Sequence, residues 1–214
     1  MTGLADLKNL TGNSRNRLWL GIGVVWLAVV ASGMAVLRKY DTTPGELGQT
    51  PARWPAKSHI PRVAGLPTIV VMGHPKCPCT RATIGELAVM MARLQGKATA
   101  VAVFVRPQGT PEGWDDTDLR RSAAAIPGVT VMSDLYEVEA DLFDAQVSGQ
   151  TMLYDAGGKL LFSGGITASR GHAGDNIGRS SIVSFVTTGT AEQNHTPVFG
   201  CTLRTPKSLD GERL

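Results

Sequence analysis

The chain has 214 residues and a formal net charge of +3, a length that allows one globular domain with additional segments. The charge is uneven, with a net of +5 in residues 1–62 and −2 in the remainder. No basic stripe with interleaved aromatic residues is present, which argues against nucleic-acid binding. Three cysteines are too few for a disulfide-rich scaffold, and their odd number leaves at least one thiol free or paired with another chain.

An apolar run predicts a single membrane-spanning helix at residues 18–38, after an N-terminal cytoplasmic segment at 1–17. Residues 18–37 carry no charge and, at 1.5 Å per residue, measure about 30 Å, the thickness of a bilayer's hydrocarbon core. A cleaved signal peptide is the alternative, with the small residues 31–33 as its cleavage site, although such apolar cores are usually shorter. Positive charges before the run slightly outnumber those directly after it, which favours the N-terminus inside.

A proline-rich segment follows the apolar run. The stretch from Asp41 to Pro67 contains five prolines, Pro67 included, and no apolar periodicity runs through it. Such a composition is typical of an extended, semi-stiff spacer. We therefore expect residues 39–66 to be a linker that holds the following domain away from the membrane.

Short apolar runs and amphipathic segments predict an α/β domain at residues 67–190. The predicted strands are 67–73, 99–105, 129–132, 151–154 and 160–163. The predicted helices are 82–96, 114–125, 137–145 and 175–188. The turn at 155–158 contains two glycines and predicts a hairpin, so that an antiparallel pair joins an otherwise parallel sheet. Residues 191–214 form a C-terminal tail that contains Cys201.

Three sequence motifs carry a resemblance to a known family. They are residues 74–82 (HPKCPCTRA), 172–179 (HAGDNIGR) and 196–201 (TPVFGC). With the strand, cysteine loop and helix before residue 94 and the late hairpin after Gly149, the region 67–190 resembles thioredoxin-like proteins, and more narrowly the RedB-type bacterial proteins. The resemblance implies a mixed sheet flanked by helices, preceded by one transmembrane helix. It also implies a single-pass protein of a bacterial inner membrane with its domain in the periplasm.

The sequence departs from the thioredoxin-like pattern at two positions. The family's redox motif is Cys-X-X-Cys, whereas Cys77-Pro78-Cys79 lacks one intervening residue. The family also places a cis-proline where this chain has Gln150. A cis peptide bond before a residue other than proline costs about 3 kcal/mol, so we expect an altered substrate-docking corner.

The cysteine loop lies at the start of a predicted helix, where backbone N–H groups and the helix dipole favour a thiolate. Arg81 adds positive charge nearby, and Cys79, nearer to the helix, is expected to be the more reactive cysteine. A disulfide between Cys77 and Cys79 would be strained, because Pro78 restricts the backbone between them. Cys201 is an alternative resolving thiol, provided that the tail folds back over the loop.

These features favour a membrane-anchored thiol–disulfide oxidoreductase that needs no cofactor and acts on a protein thiol or disulfide. Its candidate catalytic residues are Cys77, Cys79, Cys201 and Arg81. The alternative is a Cu(I)-binding chaperone for a membrane metalloenzyme, because two close thiolates suit a soft ion. Its candidate ligands are Cys77, Cys79, His74 and His172. A third reading is a non-catalytic accessory subunit of a membrane complex.

Overall fold

The computed structural model describes residues 4–204, which fall into two units. The first is a single helix, α1 (Leu4–Thr42), and the second begins at Thr42 and contains the α/β domain. Within α1, the segment Ser14–Thr42 has a mean hydropathy of 2.3 and is long and apolar enough to cross a membrane. None of its most apolar part is buried in protein, which distinguishes it from the core helix of a soluble domain; a signal sequence would have the same properties.

The domain contains every strand and helix that the sequence predicts, with shifted ends. In chain order the elements are β1 (Thr68–Gly73), α2 (Pro78–Leu94), β2 (Thr99–Arg106), α3 (Asp118–Ala124), β3 (Val129–Leu135), α4 (Val138–Leu142), β4 (Gln150–Tyr154), β5 (Leu160–Gly164) and α5 (Ile177–Thr188). The change that affects the cysteine loop is at α2, which begins at Pro78 rather than at residue 82. Proline is favoured in the first helical position, because its missing N–H would have no partner there.

The five strands form one mixed sheet in the order β3-β2-β1-β4-β5. β1, β2 and β3 are parallel, whereas β4 is antiparallel to both β1 and β5. β1 is therefore central and fully buried, as its continuous apolar sequence predicts. The mixed sheet and its late hairpin confirm the predicted fold class.

Each face of the sheet has its own core, because successive residues of a strand point to opposite faces. On one face, Ile69 and Val71 of β1 pack with buried side chains of α2, α3 and α5. On the other face, Val70 and Met72 lie in a cluster with Ile60, Phe143 and Leu203. This second cluster draws on chain segments well outside the strands.

From Gly45 onward, the segment predicted as a spacer, 39–66, packs against the domain. Trp54 makes edge-to-face contacts with Phe143 and Tyr154, with ring centroids 5.2 and 5.1 Å apart. Ile60 is buried, and the Ser58 hydroxyl donates to Oε2 of Glu139 at 2.7 Å. The short helix α4 leaves part of this sheet face uncovered, and the proline-rich segment covers it.

Trp54→Ala is expected to lower the free energy of unfolding by about 2–3 kcal/mol, somewhat below the cost of truncating a fully buried tryptophan. The measurement is urea denaturation of the full chain in detergent, followed by circular dichroism. Lys57→Ala, an exposed position in the same segment, serves as the control and should change stability by about 0.5 kcal/mol or less. Equal effects of the two substitutions would contradict the packing of this segment on the domain.

Candidate functional site

The cysteine loop turns directly from β1 into α2. The Cys77 N–H donates to the His74 carbonyl at 3.2 Å, and the Arg81 N–H donates to the Cys77 carbonyl at 3.2 Å. Cys77 has extended backbone angles, with φ −95° and ψ 127°, and is the N-cap residue of the helix. Cys77 therefore lies at the positive end of the helix dipole, while Cys79 lies inside the first turn.

The C-terminal tail folds back beside the loop that precedes β4. The Ser148 N–H donates to the Cys201 carbonyl at 2.9 Å, and the Leu203 N–H donates to the Gln146 carbonyl at 2.8 Å. Glycine is required at position 200, because a Cβ there would overlap the carbonyl oxygen of Ser148. This pairing brings Cys201 to the cysteine loop, as the sequence required of a three-thiol site.

The three cysteine sulfurs form one cluster, with all Sγ atoms within 4.8 Å of one another. Cys77 and Cys79 are 6% and 4% exposed, whereas Cys201 is exposed. All three are free thiols. One member of the cluster is therefore accessible from solvent.

Of the three cysteines, Cys77 has the environment that most favours the thiolate form. Burial raises its pKa, but the N–H groups of Thr80 and Cys79, the Ser148 hydroxyl and the Cys201 thiol together lower the pKa below its ordinary value. These donors stabilise the negative sulfur at the helix start. Sequence reasoning favoured Cys79 as the more reactive cysteine, and the structure favours Cys77.

The other two thiols are held in their protonated form. Burial, the charge of Cys77, the charge of Cys201 and a hydrogen bond to Cys77 raise the pKa of Cys79 to about 11. Burial and the proximity of Cys77 also raise the pKa of Cys201. Positive charge on Arg170 opposes both increases. Cys77 is therefore the first of the three cysteines to lose its proton as the pH rises.

The positive charge near the sulfurs comes from Arg170 rather than from Arg81. Arg81 is exposed and forms an ion pair with Asp118 at 2.7 Å. Arg170 donates from its guanidinium to the Gly200 carbonyl, next to Cys201. Sequence reasoning missed Arg170 because it lies in a loop far along the chain.

Neither predicted histidine ligand belongs to the sulfur cluster. Nδ1 of His74 accepts the Lys76 N–H at 3.2 Å, and the His74 ring stands edge-on to Trp114 at 5.3 Å. Burial and the nearby Lys76 charge lower the pKa of His74. His172 is exposed, and its Nδ1 lies 2.6 Å from the Arg170 carbonyl. Within residues 14–204, the group of potential ligands at this site consists of the three cysteines.

Ser148 joins the tail, the loop before β4 and the cysteine loop at one point. Its hydroxyl lies 2.5 Å from the Thr80 hydroxyl and accepts the His74 N–H at 2.9 Å. It also helps to lower the pKa of Cys77. Sequence reasoning missed this residue, because a serine before a strand has no distinctive spacing to the cysteines.

Ser148→Ala is expected to move the pH profile of Cys77 reactivity to higher pH. Loss of the hydroxyl removes a donor that favours the thiolate, so the pKa of Cys77 rises and less thiolate is present near pH 6. The alkylation rate there should fall about tenfold, which corresponds to a hydrogen bond to a charged group worth about 1.5 kcal/mol. Ser122→Ala, an exposed serine, is the control. A profile unchanged from wild type would contradict the role of Ser148.

Comparisons with known proteins concern the fold. No protein-family model and no curated protein matches the chain. A hypothetical protein from Sinorhizobium meliloti has 20% identity and a TM-score of 0.54, over 65% of this chain and 79% of that one. An uncharacterized conserved protein from Geobacillus kaustophilus has 17% identity and a TM-score of 0.57, over 78% of this chain and 94% of that one. A thioredoxin-like protein in its oxidized form has 17% identity and a TM-score of 0.44, over 70% of this chain and 97% of that one.

The sheet order, the cysteine loop between central strand and helix, and the late antiparallel hairpin decide the architecture. The chain has a thioredoxin-like fold. The narrower resemblance to RedB-type proteins stays a prediction.

The domain differs from the thioredoxin-like pattern at Gln150, as the sequence indicates. No cis peptide bond occurs in the described part of the chain. The Gln150 side chain instead donates to the Thr50 hydroxyl at 3.1 Å and accepts the Gln146 N–H at 3.3 Å. Gln150 therefore helps to fasten the proline-rich segment to the domain beside the site.

Proposed function

We propose that the protein is a membrane-anchored thiol–disulfide oxidoreductase with Cys77 as its nucleophile. The observation that supports this function best is the lowered pKa of Cys77 beside two thiols within 4.8 Å. Exchange requires an attacking thiolate and a second thiol that resolves the mixed disulfide. The cluster offers both within one site of a fold that supports this chemistry.

The proposed reaction transfers two electrons to a partner protein. The Cys77 thiolate attacks one sulfur of a partner disulfide, so that the partner's S–S bond breaks and its other sulfur leaves as a thiolate, which takes up a proton. A second thiol of this chain loses its proton and attacks Cys77 Sγ, which releases the partner's remaining sulfur. The partner ends reduced, and this chain ends with one disulfide.

We propose that α1 anchors the domain in a bacterial inner membrane, with the N-terminus inside and the domain in the periplasm. The length and hydropathy of Ser14–Thr42 support the anchor. The slight excess of positive charge before the apolar run supports the orientation. A periplasmic domain would meet partner proteins that carry disulfides.

The exchange activity is testable with the full chain in detergent micelles. The substrate is a peptide disulfide-linked to glutathione, and free glutathione at equal concentration is the reference. At pH 6 to 7 we expect the protein to react at least about tenfold faster, because its thiolate is the more populated. A rate no faster than that of glutathione at every pH would overturn the proposed function.

Cu(I) binding is the second candidate function, and the sulfur cluster favours it. Three cysteine sulfurs within 4.8 Å suit a soft monovalent ion. Cys77, Cys79 and Cys201 would hold the ion, in place of the predicted histidines. Titration of the reduced chain with Cu(I) against a strong chelator tests this function, with Cys201→Ser as the comparison. Micromolar or weaker affinity would exclude a copper chaperone, and failure of both activities would favour an accessory subunit.

A further inference from the structure

We propose that Cys201 is the resolving cysteine, so that the redox disulfide forms between Cys77 and Cys201 while Cys79 stays a thiol. This inference rests on the proposed function and assigns the second half of its reaction. Oxidation would then join the C-terminal tail to the start of α2. The usual arrangement, a disulfide within the cysteine loop, would not form.

The geometry of α2 disfavours a bond between Cys77 and Cys79. The Cys77 and Cys79 thiols are hydrogen-bonded neighbours, but a disulfide between them would close a small ring in which Pro78 fixes the backbone dihedral φ. Closing that ring to the S–S length of about 2.05 Å would require the first turn of α2 to shift. That change would break the bond from the Arg81 N–H to the Cys77 carbonyl and the 3.1 Å bond from the Thr83 hydroxyl to the Cys79 carbonyl.

Cys201 has no such constraint, because it lies on a separate segment. The tail is held through its backbone, by the bond from Ser148 to the Cys201 carbonyl and the bond from Arg170 to the Gly200 carbonyl. These contacts fix the position of the chain but not the rotamer of the cysteine. Its Sγ starts no more than 4.8 Å from that of Cys77. Rotation of side chains and a small shift of the tail can therefore reach the bond length of about 2.05 Å.

Access to solvent also favours Cys201 as the resolving thiol. It is exposed and can lose its proton to water, whereas Cys79 is buried. The step is balanced: the Cys201 thiolate attacks Cys77 Sγ, the bond to the partner sulfur breaks, and the departing sulfur takes up a proton.

Tryptic peptide mapping of the oxidised full chain identifies the bond. Trypsin cleaves after Lys76 and Arg81, so both loop cysteines lie in the peptide 77–81, and Cys201 lies in the peptide 180–204. The chain is reacted with the peptide–glutathione disulfide, alkylated in acid and digested. We expect a cross-linked species of the two peptides in which fragmentation places the alkyl group on Cys79. A peptide 77–81 that lacks two hydrogens and carries no alkyl group would overturn the proposal.

Two single substitutions provide an independent test. Cys201→Ser should stop the reaction at the mixed disulfide on Cys77, so that the trapped complex accumulates at least about tenfold above wild type. Cys79→Ser should still form the cross-linked peptide pair. If Cys201→Ser resolves its mixed disulfide as fast as wild type, Cys201 is not the resolving cysteine, although Cys77 remains the nucleophile. If neither the wild-type chain nor Cys201→Ser reacts with the peptide–glutathione disulfide at all, the proposed function itself is wrong.

Discussion

Replacement of Cys77 by serine is expected to abolish the formation of mixed disulfides, with a rate loss on the order of a thousandfold or more. Cys77 is the thiolate of the site, and its donors act on a sulfur at the helix N-terminus. A serine hydroxyl stays protonated at neutral pH and cannot exchange with a disulfide. The measurement is the rate at which the full chain forms a covalent adduct with the peptide–glutathione disulfide, followed by intact mass.

Cys201→Ser is the matched control for this substitution, because it also replaces one sulfur atom of the cluster by an oxygen atom. It should retain adduct formation, since the first step requires only the thiolate of Cys77 and not the resolving thiol. Circular dichroism of both variants checks that the domain remains folded. Adduct formation at the wild-type rate in Cys77→Ser would assign the nucleophile to another cysteine.

Glu86→Ala is expected to lower the free energy of unfolding by about 3–5 kcal/mol, since it breaks a buried ion pair. Glu86 and Arg179 have side chains only 3% and 5% exposed, and they form a short ion pair between α2 and α5. Glu86 also accepts the Gly174 N–H at 2.6 Å. Without its carboxylate, the buried guanidinium keeps only the exposed Asp175 as an ionic partner.

Asp118→Ala is the control for the buried pair, because it removes an acidic residue from an exposed pair. Asp118 and Arg81 are 67% and 57% exposed, so the loss of stability should be far smaller than that of Glu86→Ala. Urea denaturation of both variants, followed by circular dichroism, gives the comparison. Losses of similar size would show that burial does not set the strength of the Glu86–Arg179 pair.

The sheet could be predicted from the sequence because each strand is a short apolar run between turn residues. β1 and β2 are apolar except at their end residues and are buried on both faces between those ends, so their identity does not depend on distant contacts. The proline-rich segment could not be assigned in this way. Trp54 and Ile60 lie among prolines and polar residues without periodicity. Their burial follows only from packing against the sheet face that the helices leave uncovered.

The candidate site was partly predictable for a similar reason. The spacing of Cys77 and Cys79 marks the loop in the sequence, whereas the start of α2 decides which of them is the better thiolate. A helix beginning at residue 82 places both before the first turn; a helix beginning at Pro78 makes Cys77 the N-cap. Ser148 and Arg170 reach the site only through tertiary folding, so no local pattern reveals them.

Site-resolved titration of the three thiols tests the role of Cys77 most directly. The reduced full chain is pulsed with iodoacetamide from pH 5 to pH 11, digested with trypsin and analysed by fragmentation, which separates Cys77 from Cys79. The structure predicts that Cys77 is alkylated first, with a midpoint below that of free cysteine, and that Cys79 follows only near pH 11. Alkylation of Cys79 before Cys77, or of all three together at the midpoint of free cysteine, would contradict a Cys77 nucleophile.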